Sequence, residues 1–258
     1  MPEDARTELL ELSREVRELL AFESELGGEG LPAVEPPVPS ASARPIPAPE
    51  TIEPASIEPA PHAPPGAGGD KVVRLQQLAQ EAAACTACVL HKQRRQAVFA
   101  RGTPDAELVF VGEGPGQEED RGGFPFIGPA GQLLDRMIAA MGFDRDAVYI
   151  CNVVKCRPPD NRTPRPEEAI ACARFLVPQL ELVAPKVIVA LGRCAAENLG
   201  VAQAMGPWRG RWGDWRGVPV LPTYHPAYLL RSPEQKRVVW EDLQLVMKRF
   251  GWHPPARR

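Results

Sequence analysis

Four apolar runs, Leu108–Gly112, Val148–Val154, Val187–Leu191 and Val218–Pro222, are separated by segments whose apolar residues recur at helical spacing. Strands buried on both faces read as continuous apolar runs, whereas the helices that cover them are apolar on one side only. The alternation therefore restricts the folded part to a parallel sheet with helices on both faces. Those helices are expected at about 72–84, 130–141, 166–183, 193–199 and 234–249. Ligands in open sheets of this kind sit beyond the carboxyl ends of the strands. That rule selects Glu113–Asp120, Lys155–Arg162 and Thr223–Arg231 as active loops.

Ahead of this region the chain has a different character. Residues 7–26 carry Leu9, Leu10, Leu12, Val16, Leu19, Leu20 and Phe22 at near-helical spacing, and an amphipathic helix is expected within a segment 1–30. Pro32 to Pro65 holds 12 prolines in 34 residues, with too little apolar mass to offset ordering entropy, so 31–69 reads as a disordered, semi-extended linker. The folded domain is expected over 70–250, followed by a tail at 251–258. Residues 1–70 carry 14 acidic and 4 basic side chains, and 71–258 carry 19 acidic and 26 basic, for net charges of −10 and +7. A positive folded part suits a polyanionic partner, because neutralising phosphates releases counterions. No run of 18 apolar residues occurs and the N-terminus is acidic, so neither a membrane span nor a signal peptide is expected. A cytoplasmic location follows, where six cysteines serve metal binding, catalysis or burial rather than disulfides.

Cys85 and Cys88 form C-x2-C, and after 67 residues Cys156 and Cys172 form C-x15-C. Four thiolates suit an iron–sulfur cluster or a structural zinc, and ordinary burial is the competing reading. Two close pairs, the usual zinc pattern, are absent. Cys151, inside an apolar strand, and Cys194, at a helix start, fit burial better and are left out of the ligand set.

The loops add further chemistry. Gly112-Glu113-Gly114-Pro115-Gly116 follows a strand but fits neither the Walker nor the dinucleotide pattern, so its glycines are read as allowing close approach to a base or sugar. Glu118, Glu119 and Asp120 crowd three carboxylates, which raises a pKa or orients a water unless the loop is merely solvated. Phe124 and Phe126 sit in a loop stiffened by proline and glycine, where a ring can stack on a nucleobase. Asn152 ends a buried strand, where an amide is costly unless both donor and acceptor are used. His225 follows the last strand between Tyr224 and Pro226.

Taken together, GEGPGQEEDRGGFPFIGPAGQLLD (112–135), YICNVVKCRPPDNRTP (149–164) with Cys172 downstream, and PTYHPAYLLR (222–231) resemble the family 4 uracil-DNA glycosylases, the iron–sulfur branch of their superfamily. The likeness spans about 72–250. It implies a three-layer α/β/α sandwich around a four-stranded parallel sheet, a structural [4Fe–4S] cluster on Cys85, Cys88, Cys156 and Cys172, and hydrolysis of the N-glycosidic bond of a flipped deoxyuridine, the first step of base excision repair. The substrate partner would be uracil-containing DNA and the enzyme a monomer.

The resemblance also implies roles. Phe126 would stack on uracil, Asn152 would read its Watson–Crick edge, and His225 would stabilise the O2 anion. Water would be positioned by Glu113, by backbone, or by Glu119 and Asp120. Gly114 stands where the best-known branch of the superfamily has Asp, a departure family 4 shares. Leu229 would wedge into the gap left by the base, Arg231 would hold the neighbouring phosphate, and Lys155, Arg157 and Arg162 would contact the backbone. A related branch forms a covalent bond through a His in the loop that here reads Cys156–Pro164; no His lies between His91 and His225, which points to monofunctional hydrolysis. The alternative is a non-catalytic DNA-binding module of the same fold, tethered to a polymerase or repair partner through the N-terminal helix.

Overall fold

Strand β2 (Leu108–Gly112) is buried along its whole length, and its side chains divide alternately between two cores. Val109 and Val111 join one core, Leu108 and Phe110 the other. The computed structural model describes residues 68–202 and 208–251. The expected helix at 7–26, nearly all of the linker and most of the tail lie outside the described residues.

β2 lies at the centre of a six-stranded sheet with order β1-β3-β2-β4-β6-β5. β3 (Tyr149–Asn152), β2, β4 (Val187–Leu191) and β6 (Val218–Thr223) are parallel. Two antiparallel edges complete it, β1 (Ala100–Gly102) against β3 and β5 (Gly213–Trp215) against β6. The expected four-stranded sheet is thus the parallel centre of a larger one. The edge strands escape a pattern reading because Ala-Arg-Gly and Gly-Asp-Trp are too short and polar to show alternation. The sequence also suggested a strand to Val154, but pairing with β2 ends at Asn152.

One face is covered by α1 (Gly68–Ala84), α4 (Pro166–Val183) and α5 (Arg193–Asn198), through Leu75, Leu78, Phe175, Leu176, Leu180 and Ala195. The other carries α3 (Pro129–Ala140), α6 (Pro226–Arg231) and α7 (Lys236–Arg249), through Leu133, Leu134, Ile138, Leu229, Val239 and Leu243. This is the expected sandwich. Prolines at the first positions of α3, α4 and α6 start those helices where an N–H would have no acceptor. Two of the expected loops contain helix: α2 (Gln117–Gly122) and α6. No helix among the described residues is long and apolar enough to cross a membrane.

Candidate active site

The carboxyl ends of β2, β3 and β6 bring the selected loops together. Gly112, the last residue of β2, pairs in register with Asn152, the last of β3. Beyond the paired residues two loop hydrogen bonds hold the segments together, Val153 N–H donating to the Gly112 carbonyl (2.9 Å) and Val154 N–H to that of Glu113 (3.1 Å). A Cβ on Gly112 would lie 2.4 Å from Asn152 Oδ1 and 2.6 Å from Phe126 Cζ. Glycine is thus required here for space, because the amide and the ring both stand directly over its Cα.

Asn152 is 2 % exposed and its Oδ1 is buried without a hydrogen-bond partner. An orphaned acceptor at such depth is costly unless a ligand supplies a donor. Phe126, itself buried, stands beside it in a left-handed conformation (φ 55°). That strain is held from two sides. Gly131 approaches so closely that a Cβ there would lie 1.8 Å from the Phe126 carbonyl oxygen, Arg145 Nη2 donates to that oxygen (3.3 Å), and Arg145 is ion-paired with Asp135. The Phe126 and His225 ring centroids are 5.4 Å apart with planes inclined at 30°.

His225 caps α6, its Nδ1 accepting from Ala227 N–H at 3.1 Å. Acceptance at Nδ1 places the ring proton of the neutral imidazole on Nε2. The side chain is half-buried. Burial first, and the charge of Arg231 second, pull its pKa down to about 4, against an opposing pull from Glu119. His225 is consequently a neutral donor at ordinary pH. Glu113 follows Gly112 directly and is half-buried; burial raises its pKa, and a hydrogen bond from the Thr163 side chain works against that rise.

Glu119 and Asp120 are built into the scaffold. Glu119 Oε2 accepts from Gly116 N–H and Oε1 from Ile127 and Gly128 N–H, each at 3.0 Å, which staples the Glu113 loop to the Phe126 loop. Asp120, 3 % exposed, accepts from Arg95 N–H at 2.9 Å. With both Glu119 oxygens committed to backbone amides and Asp120 buried with Oδ1 held by another, neither matches the water-positioning role expected of the acidic run. Gly114 is close to Val154 and Pro158; a Cβ there would lie 2.8 Å from Val154 Cγ2.

On the opposite face of the sheet, Cys85, Cys88, Cys156 and Cys172 line one cavity together with His91, Arg94, Lys155 and Phe175. All four are free thiols. No group of His, Cys, Asp or Glu among the described residues converges tightly enough to hold a single metal ion. Four cysteines around one cavity supply the four thiolates that an iron–sulfur cluster takes. Donors are aimed at the sulfurs: Arg94 Nη1 at Cys156 Sγ (2.9 Å), Lys155 N–H at Cys172 Sγ (3.2 Å) and Ala87 N–H at Cys85 Sγ (3.5 Å). Such donors stabilise thiolates, so the donor set fits an iron–sulfur cluster.

A family model for the uracil DNA glycosylase superfamily matches residues 99–244, a span that contains Gly112, Glu113, Phe126, Asn152 and His225. The chain belongs to the uracil-DNA glycosylase superfamily. The type-4 uracil-DNA glycosylase of Thermotoga maritima is 49% identical over 175 residues, covering 66% of this chain and 91% of that protein. That of Archaeoglobus fulgidus is 42% identical over 193 residues, covering 70% of this chain and 96% of that protein. A type-5 uracil-DNA glycosylase from Thermus thermophilus is 35% identical over 145 residues, covering 48% of this chain and 66% of that protein.

Within this glycosylase scaffold, three residues expected at a DNA surface are placed otherwise. Lys155 is 1 % exposed and its ammonium donates inward to the Asn152 carbonyl at 2.8 Å, out of reach of a phosphate. Leu229, 1 % exposed, packs among Leu133, Met137, Val239 and Leu243, while its neighbour Leu230 is 44% exposed. Helix α6 is the reason: it turns Leu229 onto the core and Leu230 to the outside. Arg162 makes a two-pronged pair with buried Glu168 (2.7 and 2.8 Å), whose Oε2 also accepts from Arg165 N–H (2.8 Å). Its guanidinium therefore braces the start of α4. Arg157, held by Asn161 Oδ1 at 2.8 Å, and exposed Arg231 remain as cations on the outer side. Sequence reasoning missed Thr163, Arg94 and Leu230, whose partners or orientation come from other segments.

Proposed function

We propose that this chain is a uracil-DNA glycosylase of the type-4 kind, removing uracil from DNA by hydrolysis and so initiating base excision repair. The carrying observation is the orphaned Asn152 Oδ1, an acceptor beside the Phe126 ring and the neutral His225. Uracil offers the matching donor at N3–H. An enzyme cannot reach the glycosidic bond inside a duplex, so the nucleotide is flipped into the pocket. Cytosine has no proton on N3 and would leave Oδ1 unpaired.

The chemistry follows from the same geometry. The C1′–N1 bond breaks with its electron pair passing to uracil, where charge collects on O2. His225 Nε2–H donates to that oxygen as a preorganised neutral donor, and Phe126 holds the ring plane. Glu113, as the carboxylate, orients a water and takes its proton as the oxygen bonds to C1′, leaving an abasic sugar and the uracil anion, which becomes free uracil when that proton passes to it through solvent. Arg157 and Arg231 hold phosphates, positioning the strand without reading sequence. Cys85, Cys88, Cys156 and Cys172 would hold a [4Fe–4S] cluster, which when bound supplies a rigid brace for the 155–165 loop.

Replacing Asn152 by Ala should lower kcat/KM for uracil release by about 10- to 100-fold, the worth of one buried hydrogen bond to the base. Single-turnover release from U:G, U:A and single-stranded substrates measures it. Wild-type protein that leaves all three intact would overturn the reading.

Leu230 takes the wedge role expected of Leu229. Leu230→Ala should leave stability within about 0.5 kcal/mol and slow release from duplex more than from single strands. Leu229→Ala should instead cost about 2–5 kcal/mol of stability, as a buried Leu truncation does. Thermal melts and paired duplex and single-strand assays separate the two; a duplex-selective defect in Leu229→Ala at unchanged stability would restore the original assignment.

A further inference from the structure

The Lys155 side chain is among the largest fully buried ones in the described chain, yet it carries an ammonium group. Its hydrogen bond goes to a neutral carbonyl, that of Asn152 at 2.8 Å, and its Nζ lies 5.7 Å from the Phe99 ring centroid. Among the described residues no carboxylate forms an ion pair with it. Buried charges are heavily penalised unless paired. Lys155 lines the cavity of the four cysteines; burial pulls its pKa down, and negative charge at Cys151 and Cys172 works against that fall. A second cation, Arg94, lines the same cavity, donating to Cys156 Sγ at 2.9 Å and to the Ala83 carbonyl.

We propose that Lys155 and Arg94 are paired counter-charges for the cluster, one buried behind Cys172 and one at Cys156, and that they raise its reduction potential. The proposal rests on the cluster reading given above. A [4Fe–4S] core in its usual resting state, held by four thiolates, leaves a net dianion, and two cations neutralise it. Reduction adds a further negative charge, which adjacent cations stabilise. The missing partner of Lys155 is thus the cluster itself. The same ammonium anchors the Asn152 carbonyl, making Lys155 a positioning residue that ties the base-reading strand end to the cluster wall.

The test uses the full-length holoprotein with Lys155→Met, Lys155→Arg and Arg94→Gln, and reads iron and sulfide per chain, visible absorbance and the one-electron midpoint potential. Each neutral variant should shift the reduced-to-oxidised ratio at fixed potential about tenfold toward oxidised, a midpoint about 59 mV lower. Lys155→Arg should stay near wild type. Bleaching by ferricyanide should quicken in the same order. If Lys155→Met fails to fold, Arg94→Gln decides alone, since its partly buried side chain is replaced without loss of core volume. Brown variants with the wild-type midpoint overturn the counter-charge proposal and leave the cluster reading intact. A colourless wild type holding zinc overturns the cluster reading itself.

Discussion

His225→Ala is expected to reduce kcat for uracil release by about 10²–10³, the range found when one preorganised oxyanion donor is removed. The size follows from timing: charge on O2 develops as the glycosidic bond breaks, so the Nε2 bond strengthens between ground and transition state. KM should therefore move little. The neutral state matters as well. With its pKa pulled to about 4, His225 stays uncharged above that pH and contributes no inflection where an ordinary histidine titrates.

The acid limb of kcat/KM should instead report Glu113. Burial disfavours its carboxylate and raises its pKa, so activity should fall with decreasing pH at a higher pH than for an ordinary glutamate. Glu113→Gln should abolish that limb along with most of the rate. Thr163→Val, which removes a bond to the carboxylate, should move the limb upward. A pH–rate series over the three variants and wild type checks the assignment; a limb in the ordinary histidine range that vanishes in His225→Ala would reverse it.

Gly112→Ala is expected to cost at least about 10²-fold in kcat/KM, because misplacement of reacting groups by an ångström has effects of that order. The added methyl meets Asn152 Oδ1 at 2.4 Å and the Phe126 ring at 2.6 Å, so both must move, and both belong to the proposed base pocket. The sheet should survive, because Gly112 is the last residue of β2 and most of the ladder lies before it. Circular dichroism near wild type with uracil release lost is the expected pair of results. Undiminished release would show that the amide and ring do not jointly hold the base.

Much of this was legible in the chain. Leu108–Gly112 and Val187–Leu191 are strands over the expected residues because a strand buried on both faces must be apolar throughout. Asn152 stood out by the same logic, as an amide where burial demands apolar residues. The acidic run was misread because the three N–H groups held by Glu119 come from Gly116, Ile127 and Gly128, which become neighbours only when two loops fold together. Leu229 was misread because its place in the PTYHPAYLLR motif fixes no direction until α6 packs on α3 and α7.

By itself the sequence determined which residue types stand at the strand ends, the alternation that stacks helices on both sides of a sheet, and the four cysteines available to one centre. Only the tertiary structure decided which charges face outward. Lys155 and Arg162 look equally suited to phosphate in a basic loop, yet one is driven beneath the sheet edge beside four sulfurs and the other is neutralised by Glu168. The reason is physical: periodicity records burial one residue at a time, whereas the fate of a charge depends on partners distant in the chain that folding brings within a few ångströms.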